Sequence, residues 1–352
     1  MSSSSLDVAG PFTRRFGPMV TEDDLPKSAV NGLPENILLK LIGFMRRRIR
    51  GLGVMLHLAF CTAESHHSFA DAPAIKEVQV DFGLLEKARQ GMADPVQAAF
   101  MENLMDSGVP AVVRHAKRAL VDWAAFETWS AEFFESEMPA LKAQVSSKPT
   151  SRMHSVVHPL HISNLAVANI SWHRPFEEEV MPTRSFFEAD VRPEAANRRY
   201  LSSFTPLQNL TARIQQGIGA RTLLTSGFRP IVEVSVWMAR ENTASPLHYD
   251  GVHNAYVQVR GQKHFVLLPP SAWESVYLFP RLHPSSRMSQ VEWSQVDNDE
   301  FPKACQAHAS AMQLTLFPGD MLYIPPYWFH QVSAIGSPET SVRATHPTGT
   351  EH

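Results

Sequence analysis

SPLHYDGVHNAYVQVRGQKHFVLLPP, residues 245–270, reads as strand and turn rather than helix. Ala255–Val259 and His264–Leu268 are short, mostly apolar runs of strand type, and Arg260-Gly261 between them predicts a hairpin-like break. Residues two apart in a strand share a face. His248 and Asp250 are therefore expected to point together into a barrel interior, with Tyr249 turned away. A third imidazole, His330, lies in FPGDMLYIPPYWFHQV, residues 317–332.

Two imidazoles and one carboxylate on a stiff scaffold hold a divalent ion on one face and leave three positions open. This donor set suits Fe(II), Mn or Ni better than a thiolate-preferring metal. The open positions fit a bidentate 2-oxoacid and O2. Metal binding requires neutral imidazoles, so affinity is expected to fall in acid. Lys263 follows His248 by 15 residues. It is expected to line the same cavity as a point charge for a carboxylate of the co-substrate. Asn254 and Ser245 offer neutral hydrogen bonds. Taken singly, an HxD pair or a strand lysine is usually structural or solvated. HxD followed by Lys, then GD-x-L-x-IP and a histidine, is a far more specific combination.

The neighbouring segments agree with a mainly β chain. Val232–Ala239 alternates. Met312–Phe317 and Met321–Ile324 flank the turn Pro318-Gly319-Asp320, and PAVVR at 110–114 predicts another strand. Several short strands between regular turns indicate a barrel or double-sheet jelly roll. Helical additions are expected at Asp122–Phe134, whose aromatics recur at three- and four-residue spacing, and at Leu207–Gly217. VQVDFGLL, from Val78, predicts a further strand. Residues 145–195 have no clear pattern, and His154, His158, His161 and His173 within them fit no metal motif. His253, His264, His283 and His308 are expected to be structural or surface residues.

Composition bounds the rest. The chain has 352 residues, 44% of them hydrophobic, enough for a sizeable core. A net charge of −3 gives no global basic field, so bulk nucleic-acid binding is disfavoured. The two cysteines, Cys61 and Cys305, offer neither a disulfide framework nor a CxxC zinc pattern, which fits a reducing, cytoplasmic or nuclear compartment. No stretch reaches the roughly 18 apolar residues of a membrane span. MRRRIRGLGVMLHLAFCTAES, from Met45, has the form of a secretory signal but lies inside the chain. It would act as one only if translation began at Met45, and an amphipathic helix is the preferred reading. Residues 1–75 are expected to form an N-terminal extension, partly disordered and partly helical, ahead of one domain over 76–352.

Three blocks together carry a family likeness: SPLHYDGVHNAYVQVRGQKHFVLLPP, LFPRLHPSSRMSQVEW and LFPGDMLYIPPYWFHQV. They resemble the JmjC-domain, cupin-type oxygenases that depend on Fe(II) and 2-oxoglutarate. The closer likeness is to the small hydroxylase branch, which includes the asparaginyl hydroxylase of hypoxia-inducible factor and related JmjC hydroxylases. The resemblance spans roughly Ser107–Val342. It implies a double-stranded β-helix (jelly-roll, cupin) core with His248, Asp250 and His330 as metal ligands. It implies Lys263 and Tyr200 at the distal carboxylate of 2-oxoglutarate, with Asn254, Ser245 and Trp237 lining the co-substrate pocket. It further implies a hydroxylase of protein or peptide substrates. Histone demethylation, tRNA base hydroxylation and an inactive cupin serving as an interaction module are the alternatives. The family continues after the third ligand with a strand like SVSVNFW. Here SVRATHPTGTEH stands instead, Arg343 replaces a small polar residue, and the last core strand is expected to be short or altered.

Overall fold

A computed structural model describes Glu77 and residues 95–146, 176–188, 201–219, 231, 233–241, 243–281, 283–293 and 296–346. All of them lie within one compact unit formed by Cys61–Val157 and His173–His352. The expected strand from Val78, the Met45 segment, Tyr200, the four histidines between 154 and 173 and the expected boundary at 75/76 lie outside the described residues. Among the described residues no helix is long and apolar enough to cross a membrane.

Among the described residues, ten strands make one antiparallel sheet that doubles back on itself. They are β1 (Ala111–Val113), β2 (Ala140–Ser146), β3 (Phe176–Pro182), β4 (Leu201–Pro206), β5 (Glu233–Ala239), β6 (His248–Tyr249), β7 (His253–Leu268), β8 (Met312–Leu316), β9 (Met321–Ile324) and β10 (Phe329–His346). Their order is β1-β9-β7-β10-β5-β4-β2-β3, with β6 on β10 and β8 on β7. The doubling rests on the two long strands. The first part of β7 pairs with β9 and its second part with β8. The start of β10 pairs with β6 and its end with β5. Strands that change partners midway turn the corner between two faces, which is how a jelly roll closes.

The corner corrects one expectation. Arg260-Gly261 is not a hairpin: β7 runs unbroken from His253 to Leu268. Gly261 takes φ +64, and the register against β10 shifts between Ile335 and Thr340. A bulge with a left-handed glycine bends a strand without reversing it. The turn before β9 behaves as expected, and the geometry explains its residues. Gly319 has φ +95, and a Cβ there would lie 3.1 Å from Lys117 Cβ. The buried Asp320 carboxylate accepts from Arg114 Nη1 at 2.7 Å, His115 N at 3.0 Å and Phe317 N at 3.1 Å. It therefore ties the turn to the chain after β1.

The expected helix over Asp122–Phe134 is broken into Ala125–Thr128 and Ala131–Glu137. Ser130 takes extended backbone angles and its hydroxyl accepts from Phe133 N, so it caps a new helix rather than continuing the old one. The aromatic spacing still does its work, because Trp129 and Phe134 are fully buried and pack at 5.3 Å. Leu207–Gly217 divides in the same way, with Thr211 capping Ala212–Gly217. The last strand is not short: β10 extends 18 residues and pairs as far as His346 with His253.

Cys305, in the short helix Ala304–His308, is disulfide-bonded. The sequence reading expected a chain without disulfides, since two distant cysteines give no spacing signal.

Candidate metal centre

His248 and His330 face each other across the β6–β10 ladder as direct partners. Asp250 follows β6 immediately. One ligand atom from each of these three residues lies within 4.8 Å of the other two. The imidazole rings are 4.2 Å apart, and His330 Nε2 is 3.8 Å from Asp250 Oδ2. Tyr249 turns away, as expected, and packs edge-on against Phe329.

Both imidazoles are oriented by backbone. His248 Nδ1 lies 2.8 Å from the Pro246 carbonyl and His330 Nδ1 3.1 Å from the Trp328 carbonyl. A carbonyl only accepts, so Nδ1 carries the hydrogen in each ring and Nε2 keeps its lone pair. That is the second hydrogen bond that metal-ligating histidines ordinarily make. His330 is fully buried, and its Nε2 has no hydrogen-bond partner. A buried acceptor without a partner costs about 1–3 kcal/mol, which a metal ion would remove. The donor set, its spacing and the bare Nε2 fit a divalent ion of the Fe(II) or Mn type.

The block LFPRLHPSSRMSQVEW proves to be the frame of this site. Met288 bridges to His248, Ser289 N donates to the Leu247 carbonyl at 2.7 Å, and Tyr249 N donates to the Arg287 carbonyl at 3.3 Å. Ser289 Oγ accepts from Trp293 Nε1 at 3.1 Å and Val291 N at 3.1 Å and donates to the Val276 carbonyl at 2.6 Å. The block is thus an extended edge that clamps the HxD segment, anchored by a buried serine and tryptophan.

The other expected residues divide. Asn254 joins the group, donating Nδ2 to Asp250 Oδ2 at 3.3 Å. Trp237 lies beneath Arg343, ring centre to guanidinium carbon 5.1 Å. Lys263 is buried and donates to Ser341 Oγ at 2.7 Å. Ser245 is not brought to the triad: its hydroxyl accepts from Val332 N at 3.1 Å and fastens the chain to β10. His253 is buried against Tyr323, with Nδ1 2.7 Å from the phenol oxygen, a core histidine as expected.

Two residues at the site went unassigned in the sequence. Arg287 Nη1 is 3.4 Å from Asp250 Oδ1, and Arg343 Nη1 is 3.3 Å from Asp250 Oδ2. Arg343 carried a signal, as the departure from the family strand. Arg287 carried none, because a rim arginine in a loop reads as solvated.

These charges set the protonation states. Burial alone would raise the Asp250 carboxyl, but the two imidazoles, Arg343 and Arg287 hold it well below the usual carboxylate range. Burial pushes His330 down to about 3, helped by His248 and opposed by Asp250. His248 is lowered as well, again by burial first. Unfolding returns each ring to about 6.5. Below that pH the unfolded chain binds more protons than the folded one, so stability falls as pH drops from about 6.5 towards 3. The expected slope is about 1.4 kcal/mol per pH unit for each proton, with His330 contributing most. Asp250 adds loss in the same direction below about pH 4. Urea unfolding of metal-free protein between pH 7.5 and 5 should show this decline and a shallower one in His330→Gln. Equal slopes for the two proteins would refute the assignment.

The chain matches the family described as "Cupin-like domain" over residues 97–344, and it belongs to that family. The chain is also similar to proteins named for a JmjC domain or as lysine-specific demethylases. It is 31% identical over 156 residues to "Lysine-specific demethylase JMJ31" of Arabidopsis thaliana, covering 42% of this chain and 28% of that one. It is 35% identical over 104 residues to "Jumonji C domain-containing protein 5" of Drosophila melanogaster, covering 29% and 24%. The match to "JmjC domain-containing protein E" of Dictyostelium discoideum is longer, 20% identical over 294 residues, covering 71% and 79%. The chain thus spans about a quarter of the length of the first two relatives.

Proposed function

We propose that the chain is an Fe(II)- and 2-oxoglutarate-dependent dioxygenase that hydroxylates a protein side chain. The observation that carries this reading is the convergence of His248, Asp250 and His330, with both imidazoles pinned so that Nε2 is free. Family membership supports the choice of iron and 2-oxoglutarate. The iron would supply O2 activation coupled to oxidative decarboxylation of 2-oxoglutarate, giving succinate and CO2 and delivering one oxygen atom to the substrate.

The chain's own part is to hold and orient. His248, Asp250 and His330 hold the ion, and Asn254 steadies the Asp250 carboxylate. Lys263 takes the distal carboxylate of the co-substrate, with Ser341 fixing its ammonium group. Trp237 walls the pocket on the Arg343 side. Tyr200 enters through the family resemblance alone.

Lys263→Ala is expected to weaken 2-oxoglutarate binding by about 10–100-fold, the worth of one charge-assisted hydrogen bond. Binding of Mn(II) alone should stay within about threefold, since the Lys263 ammonium group is held by Ser341, which is not one of the proposed ligands. Calorimetry checks both, and unchanged co-substrate affinity would remove Lys263 from the site.

Methyl-lysine demethylation is a second reading, favoured by the name of the Arabidopsis relative. The two diverge only at the product. Succinate release with Fe(II) and 2-oxoglutarate, across a panel of protein peptides, tests the oxygenase assignment. A peptide gaining one oxygen atom supports hydroxylation. Release of formaldehyde with loss of a methyl group would replace it with demethylation. No succinate with any peptide would favour an inactive cupin.

A further inference from the structure

The site holds more positive charge than three metal ligands need. Asp250 is the only carboxylate of the triad, and two guanidinium groups reach it. Arg287 stands on the rim with 41% of its side chain exposed. Arg343 is enclosed: its side chain is 15% exposed, and its guanidinium carbon lies 5.1 Å from the Trp237 ring and 6.0 Å from that of Tyr256. A guanidinium does not lose its proton in a protein. The charge beside Asp250 is therefore permanent, and water screens it poorly.

A divalent ion on His248, Asp250 and His330 would share that carboxylate with Arg343. Two cations on one buried anion oppose each other. An incoming carboxylate reverses the balance, because it can accept from the guanidinium that Asp250 otherwise holds. The strand already presents a second cation on the same side. Ser341 and Arg343, two apart on β10, share a face, and Ser341 carries Lys263 Nζ at 2.7 Å. Two cations along one face suit an anion with a carboxylate at each end.

We propose that Arg343 makes metal binding conditional on the anionic co-substrate. In its absence the guanidinium competes with the metal for Asp250. A 2-oxoacid carboxylate arriving at the metal takes the guanidinium over and relieves the competition. By linkage, the metal then strengthens co-substrate binding by the same factor. The proposal rests on the oxygenase reading of the site and deepens it. A merely orienting Arg343 would instead help the metal, because its loss would leave Asp250 less well held.

The test is Mn(II) binding to the full chain, followed by electron paramagnetic resonance with and without 2-oxoglutarate. Wild type is expected to bind Mn(II) weakly alone and about tenfold or more tightly with 2-oxoglutarate. Arg343→Gln should bind Mn(II) alone several-fold more tightly than wild type and gain less than about threefold from 2-oxoglutarate. Arg343→Met, whose aliphatic stem still packs on Trp237 and Tyr256, repeats the test should the glutamine variant fail to fold. Arg343→Lys keeps the charge and should keep weak binding of Mn(II) alone. Weaker Mn(II) binding in the uncharged variants, or an undiminished gain from 2-oxoglutarate, would overturn the proposal. If wild type binds Mn(II) but no 2-oxoglutarate, the oxygenase reading falls and takes this inference with it. If it binds both and the variants couple as wild type does, only the inference falls.

Discussion

His330→Ala is expected to lower affinity for Fe(II) or Mn(II) by more than about 100-fold and to end succinate release. Loss of an outer-shell partner alone typically costs 10–100-fold in metal affinity, and His330 is a proposed ligand itself. Its position allows no substitute. The side chain is fully buried, its Nδ1 is taken by the Trp328 carbonyl, and its Nε2 has no hydrogen-bond partner. Asn254, a neutral polar neighbour of Asp250, already donates to that carboxylate. Retention of affinity within about tenfold of wild type would show that the metal does not sit on this triad.

Asp250→Ala should have the larger effect on the metal-free protein. Removing the carboxylate leaves Arg343 buried against Trp237 and Tyr256 without its nearest anion. Breaking a buried pair from one side costs about 3–5 kcal/mol. Arg287 adds little, because it is substantially exposed and water screens it. The expected result is a loss of about 3 kcal/mol or more in urea unfolding at pH 7. Adding Arg343→Gln to Asp250→Ala should recover part of it, because the uncompensated charge is then gone. A single variant within about 1 kcal/mol of wild type would mean that the pair is not buried in solution.

Much of the site was legible because its chemistry is local. HxD puts two ligands on one strand face by period alone. The GD turn opens β9, and the IP at its end precedes β10, the distant strand that carries His330. Lys263 and Asn254 followed from their spacing and chemistry beside HxD, Trp237 from the family likeness, and the structure gives each a definite neighbour. Ser245 has a backbone partner that the sequence did not show. A serine hydroxyl beside a strand edge has backbone partners at hand, and Val332 N takes it.

Other features depend on contacts remote in sequence. Whether Arg260-Gly261 reverses or bends the strand depends on what pairs beyond it. Here β8 takes over from β9 along one continuous β7. The aromatic run at 122–134 has helical spacing, but Ser130 caps a new turn within it. The SQVEW block showed no chemistry in the sequence. Its role exists only where Ser289 meets Leu247 and Met288 meets His248.

By itself, then, the sequence determined the family, the antiparallel β character and the identities of the three candidate ligands. Strand period and ligand chemistry are properties of the chain alone. Only the tertiary structure decided which charges surround those ligands. Arg343 lies 93 residues from Asp250 along the chain and meets it because β10 pairs with β5 and β7. Burial removes the water that would otherwise screen them, so an arginine that read as a flaw in the last strand becomes an enclosed cation paired with a candidate metal ligand.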